Sequence, residues 1–365
     1  MKNGNSAVAF EERVMQSLRD MYMKRGYLPF KMSKFEEYDL YMRNRDFLVG
    51  ENIISFTDTD GALLALKPDV TLSIIKNAKD TAGVKDKVFY NENVYRTSGS
   101  THKFKEIMQM GLECIGDLDG YDVCEAIGLA AESLSLIDGD FVLDISHMGL
   151  VSALLDEVGI YHGEREEILS FISNKNAHEA ARLLKKCGAS PDVAEKLLSL
   201  LSLRVPLARA EEALRPFATG EGGAQALAEI SVIARLLSEG EMADRIFFDA
   251  SVMNDMNYYN GIVFRGFIPG ISEGVLSGGR YDALMRRMGK SSKALGFAIY
   301  LDLIEGLGSE ADGYDVDVLL LYDEKLDTGR VFSRVRELLS EGFSVSAQKA
   351  VPDGVRYRRL ERMEG

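Results

Sequence analysis

The chain has 365 residues, 57 acidic and 43 basic, giving a net charge of −14. That length exceeds one ordinary domain of roughly 100–200 residues, and a hydrophobic content of 46% excludes wholesale disorder and collagen-like or fibrous classes. The acidic balance argues against a surface built mainly for nucleic acid, where binding relies on Lys, Arg and counterion release.

The opening residues, MKNGNSAVAFEERV, hold no apolar run long enough for a signal peptide, and no later stretch approaches the roughly 20 apolar residues of a membrane span. The expectation is a cytoplasmic protein with no membrane partner. Residues 9–25 place Phe10, Val14, Leu18 and Tyr22 four apart, which is one helix face, and Gly26 can end that helix by adopting positive φ. Strand-like runs follow at 56–68, 88–96, 105–115 and 256–267, rich in β-branched and aromatic residues and bounded by Gly, Asn, Asp or Ser. From about 150 to 243 the chain changes to Leu, Ala and Glu at helical spacing, with Ser190 and Pro191 as cap and first-turn residue, which reads as a helical insertion. Strand character resumes at 246–249. Beyond a polar hinge at 311–314, VDVLLLY, DTGRVFSRVRELLSEG and FSVSAQ read as a single βαβ unit, too small to bury a core alone. The tail VRYRRLER, 355–362, reads as a solvated end rather than an RNA patch. The domains expected are therefore a body over 1–310 and a small appendage over 315–365.

The run FKEIMQMGLECIG, Phe104 to Gly116, alternates strictly: Met108, Met110, Leu112 and Cys114 point one way, Ile107, Gln109, Gly111 and Glu113 the other. A half-solvated second face is the ordinary reading of such a strand; a site lined by an amide and a carboxylate is the sharper one. Other fragments carry less. Gly289, Lys290 and Ser291 imitate the end of a phosphate loop, but Leu284 stands where its earlier glycine belongs. His102, His147, His162 and His178 have no partner at catalytic or metal-ligand spacing and suit surface or capping roles. Cys114, Cys124 and Cys187 lie far apart with no CxxC, so no zinc site and no disulfide framework is expected, and the compartment is reducing.

Four ordered segments carry the stronger signal: LALKPDVTLSII at 64–75, VYRTSGSTHKFKEIMQMGLECIG at 94–116, MNDMNYYNGIVF at 253–264, and SGGRYDALM with ALGFAIYLDLI at 277–304. Together they resemble the catalytic core of class II histidyl-tRNA synthetases, with its LRPEGT segment, its motif 2 of an Arg, a loop and FxQxGxE, its RGLDYYTGTVFE stretch, and GGGRYDGL with motif 3. The resemblance implies an α+β fold, a largely antiparallel sheet flanked by helices. Residue by residue, it places an amino-acid pocket on Asp69, Thr71, Arg96, Gln109, Glu113, Tyr258, Tyr259 and Tyr281. The chemistry suits histidine. Carboxylates hold an ammonium or an imidazole N–H, the amide of Gln109 donates and accepts, and tyrosines close the pocket with ring and hydroxyl. Asp69 is one methylene shorter than the family's Glu.

The departures point away from catalysis. Adenylate formation needs cations about ATP; the motif 2 Arg is present as Arg96, but the family's Arg before the Tyr-Tyr pair is Asn254, and the Arg of its LER triplet is Leu303. Losing one preorganised transition-state donor costs about 3–4 kcal/mol. In the motif 2 loop Lys103 and Lys105 replace arginines, and Ile107 replaces the Phe that stacks on adenine. The appendage retains only the first βαβ unit of the family's anticodon-binding domain, so tRNA is not an expected partner. This combination is similar to the paralogous family of ATP phosphoribosyltransferase regulatory subunits. That resemblance implies no catalytic residue, cofactor or metal. It implies a short-form catalytic subunit of that enzyme as partner, L-histidine as effector of the first step of histidine biosynthesis, and self-association as a dimer within a hetero-oligomer. The stretch GYLPFKMSKFE, 26–36, holds the family's motif 1 position, with Ser33 in place of its proline. A divergent histidyl-tRNA synthetase or synthetase-like ATP-dependent enzyme is the alternative, kept open by Arg96 and the amino-acid face. A scaffold with a vestigial pocket ranks third.

Overall fold

The computed structural model describes residues 10–48, 53–97, 103–160, 163–173, 176–252, 259–304, 307 and 314–364. The chain packs as two compact units, Ser17–Ile304 and Glu305–Gly365, the second including the start of the chain through Gln16.

Helix α1 (Phe10–Lys24) runs over the expected span and stops where Gly26 takes φ +80°, a conformation that costs a residue with a Cβ but not glycine. Short strands β1 (Leu28–Pro29) and β2 (Phe35–Glu37) and helix α2 (Tyr38–Arg43) lead to the hairpin of β3 (Ser55–Thr57) and β4 (Leu63–Leu66). That hairpin and β2 make a small antiparallel sheet. Helix α3 (Thr71–Asn77) follows, then two 13-residue strands, β5 (Lys85–Thr97) and β6 (Phe104–Gly116), paired antiparallel along their whole length.

Helix α4 (Gly120–Ile137) is fixed at its start by a capping box. Asp119 accepts from the Tyr121 and Asp122 N–H groups, while the Asp122 carboxylate accepts from the Asp119 N–H at 2.8 Å. Strand β7 (Val142–His147) opens the helical region of α5 (Met148–Val158), α6 (Gly163–Ser173), α7 (Ala177–Lys186) and α8 (Pro191–Leu201), where Ser190 Oγ accepts from the Val193 N–H as the N-cap ahead of Pro191. His147 caps α5, its Nδ1 accepting from the Gly149 N–H at 3.0 Å, and His178 is exposed; His102 and His162 lie outside the described residues. The helical reading of 150–243 missed one element: β8 (Arg204–Pro206), three residues long, pairs antiparallel with β9 (Ile246–Asp249) and so joins the main sheet. Helices α9 (Ala210–Leu214) and α10 (Gly220–Leu237) lie between them in sequence. Strands β10 (Ile262–Phe267) and β11 (Leu276–Arg280), helix α11 (Asp282–Arg287) and strand β12 (Lys293–Tyr300) complete the unit.

Among the described residues the main sheet has nine strands in the order β1-β5-β6-β12-β11-β10-β7-β9-β8, antiparallel except where β1 meets β5 and β7 meets β9. One face is apolar. Met110, Leu112 and Cys114 of β6, Leu295, Phe297 and Ile299 of β12 and Phe264 of β10 are buried, and α4 packs on β10 and β12. Tyr22 of α1 stands between the Phe89 and Phe297 rings, at 5.9 and 6.2 Å, with its hydroxyl on Ser133 Oγ at 2.9 Å.

The second unit holds β13 (Val316–Tyr322), α12 (Thr328–Ser340), β14 (Val345–Gln348) and β15 (Tyr357–Met363), with a three-stranded parallel sheet in the order β14-β13-β15. Leu320, Leu326 and Val331 form its small core. The tail 355–362 is therefore not a solvated end, and the unit is more than one βαβ. Most of the tail is an edge strand whose Glu361 takes a two-pronged ion pair from Arg334 at 2.6 and 3.0 Å. The charges that hid this strand are what an exposed sheet edge tolerates.

Candidate functional site

The opposite face of the nine-stranded sheet is polar, and strand register explains its shape. Arg265, Ser277, Ala298, Gly111 and Tyr90 form one row across β10, β11, β12, β6 and β5. The three central residues are small, and Gly111 makes room for the Tyr90 side chain, whose hydroxyl a Cβ there would meet at 2.6 Å; a long cationic side chain stands at the other end of the row. In the next row Glu113 lies opposite Gly296. A Cβ at Gly296 would fall 1.7 Å from Glu113 Oε2 and 2.4 Å from the Leu112 carbonyl oxygen, so glycine there is what admits the carboxylate. The half-solvated reading of β6 is thus overturned: Gln109 and Glu113 are as buried as the apolar face behind them.

Above this floor is a cavity of about 280 Å³ lined by Asp69, Thr71, Arg96, Gln109, Glu113, Tyr259 and Tyr281, together with Val70, Tyr90, Arg265, Ser277 and Tyr300. Every site residue expected from the sequence that is described lines it. Tyr258 and Asn254 lie outside the described residues. The wall bearing Asp69 and Thr71 is pinned from behind: Lys67 is fully buried with its Nζ 2.5 Å from Glu92 Oε2, and Arg96 Nε donates to the Pro68 carbonyl at 2.7 Å. Asp69 Oδ1 accepts from the Leu72 N–H at 2.9 Å at the start of α3, and its other oxygen faces Arg96 Nη2 at 3.9 Å.

Glu113 is the electrostatic centre. Thr71 Oγ1 donates to its Oε1 at 2.9 Å and the Tyr281 hydroxyl to its Oε2 at 2.5 Å. Burial nonetheless pushes its carboxyl up to about 8, against those two hydrogen bonds and with help from the charge of Asp69. Burial also raises Asp69, opposed by Arg96 and by the backbone N–H groups of Leu72 and Thr71. Burial holds the hydroxyls of Tyr90 and Tyr259 far above their ordinary range, so both remain hydrogen-bonding groups, Tyr259 with Ser277. The cavity can accept a cationic or N–H donor group at Asp69 and Glu113 and an anionic group at its arginines. Its volume is at the small end of small-molecule cavities, which run from about 300 to 1,000 Å³.

Around the motif 2 and motif 3 positions the surroundings differ. Lys105 Nζ is held by Asp302 Oδ2 at 2.8 Å, Leu303 occupies the LER arginine position, and Ile107 packs against the apolar cluster containing Val94 and Tyr281. Lys103 is described at the mouth of that loop, whose residues 98–102 are outside the description. Among the described residues no group of three or more His, Cys, Asp or Glu is placed to hold a metal, and no helix is long and apolar enough to cross a membrane.

Sequence reasoning missed Arg265, Ser277 and Tyr90. A signal existed for the first two: Arg265 falls where RGLDYYTGTVFE ends in Glu, and Ser277 where GGGRYDGL begins with Gly. Tyr90 enters only through register, since nothing in the sequence of β5 says that it will stand beside Gly111.

An antiparallel sheet with an amino-acid-sized polar cavity on one face and helices on the other defines a class II synthetase-like body. The family model for histidyl-tRNA synthetase matches residues 4–304, and the chain belongs to that family. Its similar relatives include ATP phosphoribosyltransferase regulatory subunits from Clostridium kluyveri, 28% identical with 93% of this chain and 90% of the relative covered, and from Bacillus cereus, 26% identical with 93% and 83% covered. A crystal structure of an ATP phosphoribosyltransferase regulatory subunit/histidyl-tRNA synthetase from Bacillus halodurans superposes with a TM-score of 0.83 at 26% identity, covering 98% of this chain and 94% of that one.

Proposed function

We propose that this chain is the non-catalytic regulatory subunit of ATP phosphoribosyltransferase, acting on the first step of histidine biosynthesis in the cytoplasm through a catalytic subunit supplied in trans, and that its cavity binds free histidine as the feedback signal. The observation that carries the reading is an asymmetry inside one fold. On the amino-acid side Asp69, Thr71, Gln109, Glu113 and Tyr281 converge on one cavity, whereas Leu303 stands where activation chemistry needs a cation and Lys105 is taken up by Asp302. The relatives that match nearly the whole chain carry the same regulatory name.

Histidine can shift the partner between active and inhibited arrangements only by binding one of them better than the other. Self-association as a dimer belongs to the same reading. Leu28 and Phe35 at the motif 1 position are exposed, and Phe35 meets the exposed Phe56 edge-on at 5.5 Å, an apolar surface that a second copy would cover.

The test is reconstitution: the chain is mixed with the short catalytic subunit from the same organism, and phosphoribosyl-ATP formation is followed with and without histidine. Activation at least tenfold over the catalytic subunit alone, reversed by histidine, is expected. Absence of complex and activation, together with histidine-dependent pyrophosphate exchange by the chain itself, would return it to the synthetases.

A further inference from the structure

Arg265 is the cavity residue that the amino-acid pocket did not anticipate, and its setting calls for an anion. It is half-buried on β10, and among the described residues its guanidinium makes no hydrogen bond and no ion pair, its contact being with the Phe267 ring at 5.5 Å. Asp144, opposite Arg265 in register on β7, is engaged by Arg204 at 3.0 Å. Asp69 faces Arg96, and Glu113 accepts hydrogen bonds from Thr71 and Tyr281. That leaves a half-buried guanidinium on the cavity wall with its hydrogen-bond donors unused, a group that an anionic ligand entering the cavity would satisfy.

Along 254–265 this chain has Asn254 where the family stretch has its Arg and Arg265 where the stretch has its Glu, so a cation has gone from one end and appeared at the other. The floor geometry says what it can reach. Arg265 and Glu113 stand three strands and one row apart, about 16 Å between backbones at the usual strand spacing and rise. Between them the floor carries Tyr259, hydrogen-bonded to Ser277, and the hydroxyl end of Tyr90, which lies over Gly111, so both hydroxyls face the same cavity. Arg265 and Glu113 thus line one cavity of about 280 Å³ from opposite sides.

We propose that Arg265 holds the carboxylate of the bound amino acid, making the site selective for the free acid over derivatives in which that carboxylate is reduced or absent. This rests on the reading of the cavity as a histidine site. A guanidinium fork matches both carboxylate oxygens, and it takes up the very oxygens that an adenylate-forming enzyme must leave free to attack phosphorus. The exchange of a cation at 254 for one at 265 thus turns a site for activating an amino acid into one for sensing it.

The experiment is calorimetric titration of the full-length chain, alone and with the catalytic subunit, using histidine, histidinol and histamine against wild type, Arg265→Gln and Arg265→Lys. Wild type is expected to prefer histidine to histidinol by at least tenfold. Arg265→Gln should narrow that preference to less than about threefold by weakening histidine while leaving histidinol nearly unchanged, and Arg265→Lys should fall between. Histidine binding unchanged in Arg265→Gln, or histidine and histidinol weakened equally, would overturn the role of Arg265 alone. A wild-type chain that binds none of the three ligands, alone or in the complex, overturns the histidine reading itself.

Discussion

The two faces of the nine-stranded sheet are made by the same strands and both bury side chains deeply, yet they do opposite things. On the helix-covered face Leu112, Phe297, Ile299 and Phe264 exclude water and each other's voids. On the cavity face Gln109, Glu113 and Asp69 are equally withdrawn from solvent, but around a space that the protein leaves unfilled. Burial on the first face is stability. On the second it is stored electrostatic tension, held by hydrogen bonds from Thr71 and Tyr281 that do not fully offset the desolvation of Glu113. A binding site of this kind is made by withholding side chains, as at Gly111 and Gly296, as much as by adding polar ones.

That contrast can be broken most sharply on the apolar side. Phe297 packs its ring against Tyr22 and Phe264, both at 6.2 Å. Truncating a buried phenylalanine costs about 3–5 kcal/mol through lost transfer energy and the void left behind. Phe297→Ala should therefore lower the urea midpoint by a corresponding amount with little change in m, and a loss below about 1 kcal/mol would mean that this face is not the principal core.

Gly296→Ala tests the other face with one methyl group. It stands next to Phe297 in sequence but points to the cavity, where its Cβ would meet Glu113 Oε2 and the Leu112 carbonyl. Overpacking of this kind costs about 1–3 kcal/mol. The carboxylate must swing away, so histidine binding should fall at least tenfold, a larger loss than the stability change explains. Equal affinity in the variant would show that Glu113 is not where the ligand sits.

Much of this was legible in the sequence because it is written locally. Four-residue spacing and Gly26 mark α1, Ser190 with Pro191 starts α8, and the strict parity of 104–116 already sorts Gln109 and Glu113 away from Met110 and Leu112. What was not legible depends on which strand lies beside which. Arg265 belongs to a run whose parity with Val263 places it on the cavity face only once β10 is known to neighbour β11 and β7. Three-residue β8 is too short to have a period, and β15 is masked by its charges. The family motifs located the pocket residues through spacing, but the charge reversal at 265 became meaningful only when the row containing Ser277, Ala298 and Gly111 put it across the floor from Glu113.

The effect most specific to the cavity face is in pH. Glu113 has its carboxyl raised to about 8 in the folded protein against an ordinary value of 4.5 in the unfolded chain. Between those values the folded state keeps a proton that the unfolded state has lost, so stability from this group is complete below about pH 4.5 and declines as pH rises through about 8, by at most about 1.4 kcal/mol per pH unit. Glu113→Gln should remove that slope from a urea-denaturation series at pH 5–9. Tyr281→Phe should move it instead. The Tyr281 hydroxyl favours the ionised carboxylate, so its loss raises the folded-state value and shifts the end of the decline to higher pH, at a cost of about 1 kcal/mol for the missing hydrogen bond. A slope that persists in Glu113→Gln would assign the pH dependence to another group, and one that moves to lower pH in Tyr281→Phe would contradict the direction of this hydrogen bond.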